Sequence, residues 1–371
     1  MRVLFLLNGF IPGGAELHTL ELANALATNG DVCLMASLTP RRSTAHLSQN
    51  PVKTFNGNRI YDLGTVLSVT RLIRTYNPEL IVAIEERPLL FATISRRLAQ
   101  SKAKLVSILH KAYLRTGRER IFDPIYRYVA ARADALIYVS QNQRKLWEDR
   151  GFSSPRSIVI RNGVDLRRFS AQSVVEWRDR TRSQLGFAPD DYVVGMCAQF
   201  RPEKNHCQLI DAVRALRDQG HPVKALLVGS GPTQPTVAQY ARDCGLLEHI
   251  IFAGHQQDVR PYTSAFDVGV LCSLYEAAPI AVLEMMSMGL PVVVSNVGGA
   301  AEIVLPDKTG FLFPVGDTMS LVSSIRMMDD PLKRDAFGQA AAKFVAANFG
   351  LDRMLENYRA FLGGLLRERL Q

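Results

Sequence analysis

Short apolar runs bounded by turn residues recur along this chain, each followed by a stretch with helical spacing, in two successive series. That alternation restricts the chain to parallel sheets wrapped by helices. The first series predicts strands over 3–7, 32–36, 80–84, 105–109, 135–139 and 157–160, with a helix over 15–28 after the first strand. Arg161-Asn162-Gly163-Val164-Asp165 then reads as a turn, followed by a polar stretch to about Asp191 with one helix over 175–185. The second series predicts strands over 192–197, 223–228, 250–252, 268–272, 291–294 and 311–313. Helices are expected over 207–218, 234–244 and 280–288, and three more close the chain, the last over 352–369. At roughly 150 residues per domain, 371 residues make two. The expected class is therefore α/β, two doubly wound Rossmann-like domains facing across a cleft. Residues 1–170 form the first, 171–350 the second, and a helix over 351–371 packs back on the first. Ligands of such sheets bind beyond the carboxyl ends of the strands, so the cleft is where a site is expected.

Several classes are disfavoured. Five cysteines are scattered without a Cys-x-x-Cys pair, which fits a reducing compartment and offers neither a disulfide framework nor a zinc motif. The histidines are equally dispersed. The opening Met1-Arg2-Val3-Leu4-Phe5-Leu6-Leu7 is cut short by Asn8-Gly9, whereas a secretory apolar region takes about 7–15 residues. A buried first strand is expected instead. No run approaches the roughly 18–20 apolar residues of a membrane span, and a cytoplasmic location is expected, with peripheral attachment to the inner membrane face. The net charge of +9 is uneven: +12 over residues 1–170 and −3 over the rest. A basic first half suggests an anionic membrane surface, nucleic acid or a phosphate-bearing substrate, or else a solvated surface.

Three clusters sit at predicted strand ends. Asn8-Gly9-Phe10-Ile11-Pro12-Gly13-Gly14-Ala15-Glu16 runs from the first strand into the first helix, where glycines let a ligand approach backbone and a helix start favours anions or hydroxyls. It is not Gly-x-Gly-x-x-Gly, which counts against a dinucleotide site, and a plain tight turn reads equally well. Gln199-Phe200-Arg201-Pro202-Glu203-Lys204-Asn205 follows the first strand of the second series. Arg201 and Lys204 could hold a diphosphate, or simply face solvent. In Ser273-Leu274-Tyr275-Glu276-Ala277-Ala278-Pro279, the proline suits a helix's first turn, leaving Glu276 in the preceding loop and Glu284 inside the helix. Eight residues at helical rise span at most about 12 Å, close to the separation of hexose and ribose in a nucleotide sugar. Each carboxylate can accept from a vicinal diol; two unrelated surface acids are the alternative.

Glu276-x7-Glu284, with Lys204 upstream and Val297-Gly298-Gly299-Ala300-Ala301-Glu302-Ile303-Val304 downstream, resembles the retaining glycosyltransferase family 4 of the GT-B fold. The resemblance extends to Pro12-Gly13-Gly14-Ala15-Glu16, Asn162-Gly163-Val164-Asp165, Gly229-Ser230-Gly231-Pro232, Phe252-Ala253-Gly254 and Gly289-Leu290-Pro291. It implies that Glu276 lies near the donor sugar, Glu284 on the ribose, Lys204 on the diphosphate and His110 near the transferred sugar. Gly13 and Gly14 would border donor phosphates and acceptor, while Gly229, Ala277, Pro279, Gly298 and Gly299 complete the donor site. Glu302 would brace its helix rather than act in catalysis. The family's arginine five residues before the lysine is replaced by Gln199, so Arg201 is the candidate substitute, because alternate residues of an extended segment share a face. Ala277-Ala278 replaces the family's Gly-Phe, leaving donor identity open.

The implied activity is a retaining hexosyl transfer from a UDP- or GDP-linked nucleotide sugar to a saccharide acceptor. The acceptor is expected to be lipid-linked, in cell-surface polysaccharide or lipopolysaccharide assembly. No metal cofactor is expected: Lys204, Arg201 and helix starts near Gly298-Gly299 would stabilise the leaving diphosphate, and Asp190-Asp191 reads as a turn. The basic, aromatic stretch from Lys111-Ala112-Tyr113-Leu114-Arg115 through Arg127-Tyr128-Val129-Ala130-Ala131-Arg132 suits an anionic membrane surface. The competing readings are another GT-B enzyme, such as a nucleotide-sugar epimerase or a phosphorylase, and a non-catalytic nucleic-acid binder, for which no recognised module is present.

Overall fold

The computed structural model describes residues 1–10, 13–41, 43–57, 62–112 and 120–368. The chain divides into two compact units, Met1–Asn162 with Asp352–Gln371, and Gly163–Leu351.

The first unit holds a seven-stranded parallel sheet in the order β3-β2-β1-β4-β5-β6-β7. Its strands are β1 Arg2–Leu7, β2 Val32–Ser37, β3 Val52–Thr54, β4 Leu80–Ile84, β5 Lys104–Leu109, β6 Ala135–Tyr138 and β7 Ser157–Val159. The central strands read as unbroken apolar runs because helices cover both faces, and β4 is buried along its whole length. Sequence alternation misses β3, a three-residue edge strand whose middle residue is the exposed Lys53. Strand order reverses between β1 and β4. Side chains at their carboxyl ends therefore flank the open crevice of the sheet. The helix Gly14–Thr28 follows β1, and Glu86–Leu98 follows β4. The helix Leu351–Arg367 returns to this unit, and its Met354 and Tyr358 are buried against His18.

The second unit is a six-stranded parallel sheet, β10-β9-β8-β11-β12-β13, reversing between β8 and β11. Here β8 is Tyr192–Cys197, β9 Val223–Val228, β10 Ile250–Gly254, β11 Val268–Leu271, β12 Val292–Ser295 and β13 Gly310–Phe313. The polar stretch before β8 folds as the helix Ala171–Gln184, a turn longer at its start than the apolar pattern predicts, with Ser170 in an extended conformation ahead of it. Arg178 and Arg182 anchor that helix by pairing with Asp267 at 2.6 and 3.2 Å. Asp190 and Asp191 do form a turn, in which Asp191 accepts from Lys224 at 2.6 Å. The chain enters and leaves this unit side by side: Val164 N–H bonds Phe349 O, and Leu351 N–H bonds Val164 O. A Cβ at Gly163 would stand 2.8 Å from Leu351 Cα, which explains a glycine at that crossing.

Candidate functional site

In the second unit the sequence clusters converge on the reversal between β8 and β11. Beyond β8, Phe200 is pinned by its N–H to Ser230 O, and the chain makes a single 3-10 turn, Pro202–Lys204, before the helix His206–Asp218. Beyond β11, Leu274 N–H bonds Glu203 O at 2.8 Å, tying the two loops together. The Lys204 ammonium forms an ion pair with Glu276, whose carboxylate is buried and also accepts from Ser273 Oγ at 2.7 Å. Ser273 is itself fixed by Ser295 Oγ donating to its carbonyl at 2.7 Å. A buried acid is thus preoriented by one cation and one hydroxyl.

The helix Ile280–Ser287 begins at the expected residue and ends one residue earlier than expected, at Ser287. Pro279 is its cap, with ψ of 107°, rather than part of its first turn, because the chain is still extended as it leaves the Glu276 loop. Glu284 lies on that helix beside the end of β8: burial pushes the Cys197 thiol up to about 12, and the nearby Glu284 charge adds to the shift. Arg201 lies 4.0 Å from Glu203.

Three glycines shape the same end of the sheet. A Cβ at Gly229 (φ 137°) would stand 2.0 Å from Ala198 O, and one at Gly298 (φ 51°) would stand 1.7 Å from Glu276 O. Only glycine allows these backbones to touch. Gly299 adopts φ −72° and caps a one-turn helix, Ala300–Ile303. So short a helix carries little of the macrodipole expected from the sequence. Ala277 is buried beside Glu276. His206 stacks flat on Phe200 at 4.0 Å and 10°, and burial, with Lys204 nearby, holds its imidazole down to about 4.

In the first unit, Gly13 and Gly14 open the helix Gly14–Thr28, and a Cβ on Gly13 would meet Glu16 Oε2 at 2.6 Å. The expected loop also includes Ile11 and Pro12, which lie outside the described residues. His110 follows β5, its ring edge-on to His18 at 4.7 Å, and burial together with His18 holds it well below the usual imidazole range. Sequence reasoning missed Glu85 and Glu86, both buried at the end of β4. Two acids directly after an apolar strand were the available signal. Lys111 pairs with Glu86 at 3.5 Å. Among the described residues, no three His, Cys, Asp or Glu side chains are grouped as a metal site.

A model for group 1 glycosyl transferases matches residues 178–344, and one for glycosyltransferase family 4 matches residues 12–168. The chain belongs to glycosyltransferase family 4. This family 4 chain is 28% identical over 211 residues to the putative glycosyltransferase EpsD of Bacillus subtilis strain 168, a match covering 56% of the chain and 55% of the relative. The chain thus spans little more than half the length of that relative. It is 26% identical over 289 residues to the UDP-Gal:alpha-D-GlcNAc-diphosphoundecaprenol alpha-1,3-galactosyltransferase of Escherichia coli, covering 76% of this chain and 74% of the other. Its fold matches the crystal structure of Anabaena Alr3699/HepE in complex with UDP-glucose, with a TM-score of 0.87, 25% identity, and 98% and 100% of the two chains covered. Two parallel-sheet α/β units of this kind are the GT-B fold.

Proposed function

We propose that this family 4 chain moves a hexose from a UDP- or GDP-linked donor to a saccharide acceptor, with retention of configuration and without a metal. The observation that carries the reading is the Lys204–Glu276 pair at the β8–β11 reversal, where a buried carboxylate and a cation share one crevice. Glu276 accepts hydrogen bonds from the donor sugar's hydroxyls, and Glu284 from the ribose diol. Lys204 and Arg201 face the diphosphate, whose negative charge grows as the sugar–phosphate bond breaks. The amides at Gly298 and Gly299 add donors at the same end of the sheet. The leaving phosphate oxygen takes the acceptor's proton on the face it departs from, so retention needs no separate base. His110, held neutral by burial, offers a hydrogen bond to the transferred sugar.

The acceptor is lipid-linked in this reading, and the enzyme docks on an anionic membrane surface. The helix Asp123–Ala130 supports it: Tyr126 and Val129 face inward, while Ile121 and Tyr128 are 71% and 53% exposed. Arg127 and Arg132 are exposed on the same segment, and the Arg132 guanidinium lies 3.4 Å from the Tyr128 ring centroid. Apolar side chains among arginines suit a headgroup layer. Residues 113–119 of the basic stretch lie outside the described residues. No described helix is long and apolar enough to cross a membrane. The test is product formation from UDP- and GDP-hexoses with a polyprenyl-diphosphate-linked sugar, in excess chelator. Configuration-retained product at undiminished rate is expected; donor consumption without transfer, or dependence on added metal, would overturn the reading.

A further inference from the structure

Glu85 stands at the carboxyl end of β4, beside the β1–β4 reversal, with φ 75° and ψ 174°. That region of backbone space belongs almost wholly to glycine, so an L side chain there is strained. The strain has a structural meaning. The β4–β5 register pairs Ile84 with Ile108, so the parallel ladder would next pass from Glu85 N–H to Ile108 O, then from His110 N–H to Glu85 O. The first bond is made, at 2.9 Å. The second is not: the turned Glu85 carbonyl accepts from Leu89 in the following helix instead, at 3.2 Å. The side chain takes its place, and Glu85 Oε1 accepts the His110 N–H at 3.1 Å. The short acid Asp commonly caps the helix it precedes; the longer Glu85 side chain makes no bond to its own helix. Its other oxygen is buried without a partner.

We propose that Glu85 is a positioning residue for His110: its carboxyl holds the end of β5 so that the His110 ring keeps one orientation toward the transferred sugar. This rests on the role given to His110 above. The ring is fixed from the other side by His18, whose Nε2 lies 3.1 Å from Met354 Sδ and whose ring lies edge-on to Tyr358. His110 is therefore held at its amide by a strand-end carboxyl and at its ring by His18, which the returning C-terminal helix backs. A glycine at position 85 would satisfy the backbone and lose the carboxyl's hold.

The charges facing Glu85 are Glu86 on its own helix, Glu16 from the helix after β1, and Lys111 beyond β5; His110, with His18 behind it, is the neighbouring imidazole. Burial, with Glu86 beside it, pushes the Glu85 carboxyl up to about 8. It is consequently neutral near pH 7 and acquires its charge only in alkali, next to the His110 amide.

The experiment compares wild type with Glu85→Gly and Glu85→Gln. Glu85→Gly should raise Tm by relieving the backbone, yet lower kcat about tenfold, the scale of one buried hydrogen bond felt in the reacting geometry. Glu85→Gln keeps an acceptor oxygen and should recover most of the rate, without the wild-type change in kcat as pH passes through about 8. A fall in Tm and kcat together for Glu85→Gly means a purely structural role and overturns the proposal. So does an unchanged kcat, or a Glu85→Gln enzyme as slow as Glu85→Gly. Hydrogen exchange at the His110 amide supplies a readout independent of activity: protection should be lost in Glu85→Gly and kept in Glu85→Gln. If wild type transfers no sugar, the proposed function fails, while this exchange pattern still decides whether Glu85 holds His110.

Discussion

The Lys204 ammonium pairs with the Glu276 carboxylate across the reversal of strand order between β8 and β11, and Ser273 Oγ donates to the same carboxylate oxygen. Under the proposed function, a donor diphosphate would compete for Lys204, exchanging one partner of the cation for another and freeing Glu276 to take sugar hydroxyls.

Lys204→Ala and Glu276→Ala should each lower turnover about 10²–10³-fold, the scale of losing one preorganised charge-stabilising group. Lys204→Ala also leaves a mostly buried carboxylate with only Ser273, at a cost of about 1–3 kcal/mol in stability. Steady-state kinetics and chemical denaturation measure the two effects separately. Near-normal turnover in both variants would remove the pair from the chemistry.

Gly298→Ala should be as damaging as a change to the acid itself. The new Cβ would stand 1.7 Å from Glu276 O, at a φ of 51°, so the Glu276 loop must move. A stability loss of about 1–3 kcal/mol and a fall in kcat are expected by denaturation and rate measurement. An enzyme unchanged in both would mean the loop's position is immaterial.

The convergence of these residues was legible in sequence because each lies within a few positions of a strongly apolar strand end: Lys204 follows Cys197, and Glu276 follows Leu271. What was not legible depends on distant partners or on backbone torsion. His18 meets Met354 and Tyr358 across most of the chain, and no local pattern marks that contact. Glu85 looks in sequence like an ordinary first helical residue; only its positive φ, which turns its carbonyl out of the ladder, reveals another use. The edge strand Val52–Thr54 is too short for alternation to register.

The His18 contact predicts a pH dependence. Burial lowers His18 from 6.5 to about 4. The unfolded chain therefore binds a proton that the folded chain refuses between those values. The contribution is full above pH 6.5 and is lost as pH falls toward 4. Replacing the ring by His18→Phe should flatten that part of the stability profile, read by denaturation from pH 4 to 7. An unaltered slope would show that His18 titrates freely in the folded chain.

Membrane docking is testable on the exposed side chains of residues 121–132. Ile121→Ser with Tyr128→Ser should weaken sedimentation with anionic vesicles, and Arg127→Ala with Arg132→Ala should do so by about 1 kcal/mol per arginine at low salt. Transfer to a short soluble acceptor should be preserved. Equal vesicle binding by all variants would place the membrane contact elsewhere.

The most direct measurement is the thermal shift of wild type and Lys204→Ala with saturating UDP- and GDP-hexoses. A ligand held at a hundred times its Kd stabilises the folded form by about 2.7 kcal/mol. One nucleotide sugar should raise the wild-type Tm, and its effect should be largely lost in Lys204→Ala. No shift with any nucleotide sugar, or an equal shift in both proteins, would contradict a donor site built on Lys204 and Glu276.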